Sequence, residues 1–311
     1  MFSTQFAFGS LLAAAVLTAP AGAQLLHKYN FNGTGTVAVD SVGNADGVLL
    51  DGATLTDTGQ LHLFAQGEYV EFPSGILGTQ TSGTFEVWYA WQDVFTPNWP
   101  RLMDFGNSSG GPGSQGNGLT YLALTPQSID SSTPTAAVRF TSSGNSTKAL
   151  SLAAPPVGSL VQLALVVDSA AMEIRLYQDG VLQDTTPIDL DLSSLVDENN
   201  WLGRSQWQND PGFLGDIEEF RIYGNALTDA EVAASFAAGP DPNFVGDSYC
   251  GPSVPNTTGA SAAIFGTGSS EVAVNGLTLE AAGLPTFSFA FFIVSQTQGF
   301  ASQPGGSQGN L

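Results

Sequence analysis

The sequence predicts an all-β fold: an antiparallel two-sheet sandwich followed by part of a second β domain. Residues 25–226 break into short apolar or alternating runs separated by Gly, Asn, Asp and Pro clusters, the punctuation of strands and turns in a sandwich. In AMEIRLYQDGVLQD, Asp179-Gly180 stands between two alternating runs, and Asp-Gly accepts the positive φ values of a two-residue hairpin turn. A single stretch, LTDAEVAASFAAG, has a helical pattern.

Residues 1–23 carry an apolar run that ends in Ala21-Gly22-Ala23. This small-x-small pattern predicts a secretory signal, with Gln24 as the first mature residue. The run is shorter than the ~20 residues of a membrane span, and Gly9, Ser10, Thr18 and Pro20 interrupt it. The expectation is a secreted or cell-surface protein without a transmembrane segment in the mature chain.

Residues 24–240 form the predicted sandwich. TFEVWYAWQ alternates Phe85, Val87, Tyr89 and Trp91 against Glu86, Trp88 and Ala90, so one face of that strand belongs in the core. LVQLALVV, residues 160–167, is apolar almost throughout and is expected at the centre of a sheet, covered on both faces. Thr228 and Glu231 have the spacing of a capping box, and Gly239 can close the helix in a left-handed conformation. Residues 241–248 read as a linker. Residues 249–311 read as a partial β-rich module, with an Asn275-Gly276 hairpin and the apolar strand TFSFAFFIVSQ. Cys250 is the only cysteine, which predicts a partner beyond the end of this sequence.

Seven basic residues face 28 acidic ones, for a net charge of −21. A field of that sign repels phosphate backbones, so no nucleic-acid partner is expected.

Asp216, Glu218 and Glu219 crowd onto one predicted strand in GFLGDIEEFRIYGNALTDAEV. Strict alternation puts Asp216, Glu218, Phe220 and Ile222 on one face, and Ile217, Glu219, Arg221 and Tyr223 on the other. Phe220 and Ile222 then enter the core, with Glu218 at its edge. Arg204 and Arg221, both beside carboxylates in sequence, are expected in structural ion pairs.

WLGRSQ and the strand-plus-helix motif above resemble the closing portion of a laminin-G-like, concanavalin A-like jelly-roll domain. LLHKYNFNG, VDSVGNADG, Glu86-Val87-Trp88, RLMDFG and RLYQDGVL follow in the family's order over about residues 25–238. The segment from Tyr249 resembles a module attached to secreted bacterial proteins, in which a further cysteine follows G-N-L. A retaining glucanase of the jelly-roll class carries three alternating carboxylates on one strand. Here the third position is Phe220 or Leu214, and a hydrolase needs its pair of carboxyl groups. The resemblance therefore implies a non-catalytic protein that binds an extracellular glycan or a surface protein. A divergent glycoside hydrolase and a structural spacer are the alternatives.

The resemblance also implies a structural Ca²⁺, with Asp40, Asn44 and Glu218 as the matching positions. The competing reading is an Asx turn at Asp40 and Asn44 with a hydrogen-bonded Glu218. For the ligand, Trp99, Trp207 and Asn209 lie in loops rich in amide side chains. That setting suits stacking and hydrogen bonding to a sugar, the alternative being packing lids.

Overall fold

The computed structural model describes residues 24–56, 58–92, 99–128, 135–141, 148–241, 244–245, 255, 259, 262–267 and 277–285. The predicted signal, Cys250, the Asn275-Gly276 hairpin and the strand at 286–296 lie outside them.

Among the described residues sixteen strands make the sandwich, and their pairings are antiparallel. In chain order the first six are β1 (Leu25–Tyr29), β2 (Val37–Ala38), β3 (Gly47–Leu50), β4 (Thr54–Leu55), β5 (Leu61–Leu63) and β6 (Tyr69–Phe72). The next five are β7 (Gly83–Trp91), β8 (Met103–Ser108), β9 (Gly118–Ser128), β10 (Thr135–Thr141) and β11 (Lys148–Ala153). Then come β12 (Val161–Asp168), β13 (Glu173–Gln178), β14 (Val181–Pro187), β15 (Asn199–Leu202) and β16 (Gly215–Tyr223). One sheet has the order β14-β13-β12-β7-β16-β5-β4, with β1 also on β16; the other runs β11-β10-β9-β8-β15-β6-β3-β2.

The core lies between the sheets. Phe85, Val87, Tyr89 and Trp91 of β7 enter it, as their alternation predicts, and meet Leu163, Leu165 and Val167 of β12 and Met103, Phe105, Leu122 and Leu124 of the facing sheet. Phe72, Phe105 and Tyr29 surround Phe220 with ring centroids 5.8–6.1 Å away. The Asp179-Gly180 turn joins β13 to β14 with φ values of 50° and 74°, the left-handed pair that Asp-Gly tolerates.

Helix α1 (Asp229–Ala238) follows, and its capping box closes as expected: the Thr228 side chain accepts from the Glu231 N–H while the Glu231 side chain accepts from that of Thr228. Val232 buries itself with Ala164, Val166, Tyr177, Tyr223 and Leu227 on the outer face of the first sheet. A separate small sheet orders β17 (Phe244–Val245), β18 (Ala263–Thr267) and β19 (Thr278–Ala282), so the expected linker contributes a short strand. Among the described residues no helix is long and apolar enough to cross a membrane.

β16 corrects the predicted face assignment. A bulge separates Ile217, opposite Tyr89, from Glu219, opposite Trp88. Tyr89 and Trp88 are consecutive, so Glu218 is the extra residue, and the phase of the strand changes there. Phe220 and Ile222 face the core as expected, but Ile217 joins them. Glu218 is half-buried at the bulge and accepts from Gln60 Nε2 at 2.8 Å rather than entering the core edge.

Candidate functional site

On the outer face of the second sheet, cross-strand partners form a row: Glu71, Trp201, Asp104, Ala123 and Arg139, from β6 to β10. Their strand neighbours Leu202, Met103, Leu122, Leu124, Val138 and Phe140 fill the core beneath. Opposed side chains in such a row stand about 5 Å apart. Ala123 adds almost no bulk between its larger neighbours Asp104 and Arg139.

Loops supply the walls. Trp99 precedes β8 and has φ 68°, a left-handed conformation that a bulky residue rarely adopts. Its N–H donates to the Gln127 carbonyl at 3.2 Å, and its own carbonyl accepts from Arg101 Nη1 at 3.1 Å. The guanidinium groups of Arg101 and Arg139 lie 5.2 and 4.7 Å from the centre of the indole. Trp207 stands edge-on to Tyr121, with ring centroids 6.4 Å apart. A Cβ at Gly118 would fall 2.6 Å from the Trp207 Nε1, so the ring takes this position only over a glycine. Trp99, Arg101, Tyr121, Arg139, Trp207 and Asp210 enclose about 240 Å³.

One buried carboxylate ties the two walls together. Asp104 Oδ2 accepts from Arg101 Nε at 3.1 Å, from the Gln206 N–H at 3.0 Å and from Ser205 Oγ at 3.4 Å. Arg101 Nη2 reaches Asp210 at 2.8 Å, and Ser205 Oγ accepts from the Trp207 N–H at 3.0 Å. Burial pushes the Asp104 carboxyl up to about 6 against the pull of Arg101, and burial likewise raises Asp210. Asp104 thus fixes Arg101 beneath Trp99 and the 205–210 loop that carries Trp207.

A smaller hollow of about 140 Å³ adjoins this pocket and shares Asp210; Arg204, Asp51, Gln66 and Gln115 are among its walls. The expected ion pair of Arg204 is not formed among the described residues. Its guanidinium instead lies 4.3 Å over Tyr69 and 4.6 Å over Trp201.

The predicted ligand residues Trp99 and Trp207 therefore meet in one pocket, while Asn209 is exposed beside it and is not among the lining residues. Arg101, Tyr121, Arg139 and Asp210 complete the site. A lone arginine inside the apolar run TAAVRFT is the signal in the sequence that marks Arg139.

Asp40, Asn44 and Glu218 take separate places. Asp40 Oδ1 accepts from the N–H groups of Lys28, Val42 and Gly43, and Oδ2 from that of Ala45, with His27 Nδ1 at 2.7 Å. Burial alone would raise this carboxyl, but these bonds outweigh it and lower it to about 2. Donors thus occupy the directions a cation would need, and Asp40 as arranged does not fit one. Asn44 is exposed. His27 pairs with Ile222, four residues along β16 from Glu218, a span of about 13 Å. Among the described residues no three His, Cys, Asp or Glu side chains are grouped to hold a metal ion.

The carboxylates of β16 have structural partners. Asp216 Oδ1 lies 2.6 Å from His62 Nδ1. Glu219 pairs with Arg221 and accepts from the Asp241 N–H at 2.6 Å. Glu86 accepts from Tyr223 and Ser235 hydroxyls at 3.1 and 2.6 Å, and Arg221 lies 4.4 Å over Trp88.

The family profile of the concanavalin A-like lectin/glucanases superfamily matches residues 64–233, more than half of the chain. None of the curated protein sequences matches it. Domain 4 of AbnA, a GH43 extracellular arabinanase from Geobacillus stearothermophilus solved in complex with arabinotriose, aligns at 21% identity and TM-score 0.54, over 68% of this chain and 98% of that domain. The receptor binding domain of botulinum neurotoxin D aligns at 13% identity and TM-score 0.53, over 69% of this chain. The serotype D binding domain gives 14%, 0.52 and 70%. In both toxin domains the match spans 52% of the solved chain. At these identities the likeness is one of fold.

Proposed function

From the premise that the chain belongs to the concanavalin A-like lectin/glucanases superfamily, we propose that it is a secreted or cell-surface protein that binds an extracellular glycan without cleaving it. The observation that carries this reading is the pocket between Trp99 and Trp207. Its aromatic walls can stack on the apolar face of a sugar ring, and its arginine and aspartate edges can hydrogen-bond the hydroxyls. The arabinotriose held by the arabinanase domain supports a sugar as the ligand class. An extracellular protein partner is the second reading, supported by the fold shared with the receptor binding domain of botulinum neurotoxin D. Hydrolysis is disfavoured because it needs two carboxyl groups across the scissile bond. Among the described residues Asp210 is the single carboxylate lining this pocket, and Asp104 is sealed beneath it.

A structural calcium is the further proposal of the family resemblance. What supports it is Glu218, whose carboxyl is raised first by burial and then by Glu219 and Asp216. A cation there would relieve that repulsion. Asp40, saturated by N–H donors, speaks for the Asx-turn reading of its own loop.

The test of function is glycan-array binding by the full chain and by Trp99→Ala and Trp207→Ala. Each variant should weaken binding about tenfold or more, since stacking on one aromatic ring is worth on the order of 1–2 kcal/mol, and should melt near the wild-type temperature. Undiminished glycan binding by Trp207→Ala, or release of reducing ends by the wild type, would overturn the proposal.

A further inference from the structure

We propose that the hollow beside Arg204 is a second subsite on the same face, and that it takes the carboxylate of an acidic sugar residue. This rests on the glycan reading of the Trp99–Trp207 pocket and names a feature of the ligand which that reading leaves open.

The chain has only seven basic residues. Lys28 is bound to Asp241 at 2.6 Å, Arg101 to Asp210 and Asp104, Arg175 to Asp229 at 3.1 Å, and Arg221 to Glu219. Arg139 sits over Trp99 in the neighbouring pocket and has a partner of its own. Arg204 differs from all of these. Among the described residues it forms no ion pair, and its guanidinium lies 4.3 Å over Tyr69 and 4.6 Å over Trp201, two rings set at 79° to each other. A guanidinium carries five N–H donors in a planar fork, more than Tyr69 can take up, and that fork matches a planar carboxylate bidentately.

The charged surroundings narrow the ligand. Asp51 and Asp210 line the same hollow, and Asp210 is already committed to Arg101. Glu71 lies behind the stack, accepting from Trp201 Nε1 at 3.1 Å. With a net charge of −21 on the whole chain, a polyanion is repelled at long range. A single carboxylate on an otherwise neutral glycan loses little to that field and still gains the short charge-assisted contact. The two hollows share Asp210, so a neutral ring stacked at Trp207 and an acidic neighbour at Arg204 can belong to one oligosaccharide. Each volume, 240 and 140 Å³, falls below that of a drug-sized site and suits about one sugar unit.

The experiment titrates the isotopically labelled full chain with glucuronate, galacturonate, glucose and galactose while following the Arg204 Nε–H and the tryptophan indole resonances by NMR. The uronates should move the Arg204 signal and bind about fivefold or more tightly than the neutral sugars. That preference should shrink as ionic strength rises from about 0.05 M to about 0.5 M. It should vanish in Arg204→Gln and persist in part in Arg204→Lys, with neutral-sugar binding preserved in both. Equal affinities for acidic and neutral sugars in the wild type, or a preference that survives Arg204→Gln, overturns the acidic subsite and leaves the glycan reading standing. Sugars of both classes leaving every indole unmoved overturns both.

Discussion

Trp99 holds its ring against two guanidinium groups at the expense of a left-handed backbone, a strain of about 1–3 kcal/mol. Gln127 and Arg101 fix that conformation from either side, so the indole is in place before any ligand arrives. Asp40 is fixed just as firmly, by four backbone N–H groups and His27, which leads to a test of the calcium proposal. Melting curves in excess chelator and in millimolar Ca²⁺ should coincide if that loop is complete without a cation. A rise in Tm with Ca²⁺ that disappears in Glu218→Gln would establish the metal. Trp99 and Trp207 stand out in the sequence as tryptophans in loops rich in amide side chains, a setting open to sugar stacking or to a packing lid. Tyr121 and Asp104 do not, because they reach the site through strand register, which pairs residues such as Asp104 and Ala123 that local patterning never connects.

At the scale of elements, the polar cluster on the outer face of the first sheet clamps α1. Arg221 donates to the Gly239 carbonyl at 2.7 Å and to Ser235 Oγ at 2.9 Å while neutralising Glu219 and approaching Glu86 at 3.8 Å. The helix itself buries little more than Val232. Arg221→Ala should therefore cost about 3–5 kcal/mol, because Glu86 stays buried without a counter-charge and Glu219 keeps only Lys28, at 3.6 Å. Thermal melting together with hydrogen exchange across residues 229–238 checks this. Unchanged exchange in the helix would show that apolar packing holds it instead. The helix, its cap and the hairpin were all readable from local chemistry, and so was β7, whose alternation is unbroken. β16 was readable only beyond its bulge, since no residue type announces an unpaired Glu218.

Across the whole molecule, buried carboxyls set the response to pH. Asp104 rises from 3.8 to about 6, and burial also raises Glu86, Asp210 and Glu218. A carboxyl that holds its proton more tightly in the folded chain stabilises the fold while protonated, and that contribution falls as pH rises from about 4 towards 6. For Asp104 the change is worth about 3 kcal/mol. Asp40 acts in the opposite sense: lowered to about 2, it stabilises above its ordinary value of 3.8 and loses that contribution as pH falls through about 2. The two together put maximal stability near pH 4–5, and easing the self-repulsion of a −21 chain works in the same direction. Tm should be several degrees higher at pH 5 than at pH 7.5, and Asp104→Asn should remove much of the difference. A higher Tm at pH 7.5 would contradict the burial-dominated picture.

Glu218 has one more consequence. The residues on either side of it already face consecutive partners on β7, so the sheet is continuous around it as though it were not there. Excising Glu218 alone should leave Ile217, Phe220 and Ile222 in the core and Glu219, Arg221 and Tyr223 outside, with loss of the Gln60 contact as the main penalty. A one-residue deletion in the interior of a nine-residue strand ordinarily inverts everything on one side of it. Here it should yield a folded protein with a nearly unchanged melting temperature, whereas excising Arg221 should not fold. β16 thus carries slack of one residue in its length, a place where the gene can gain or lose a codon without changing what either face of the sheet presents.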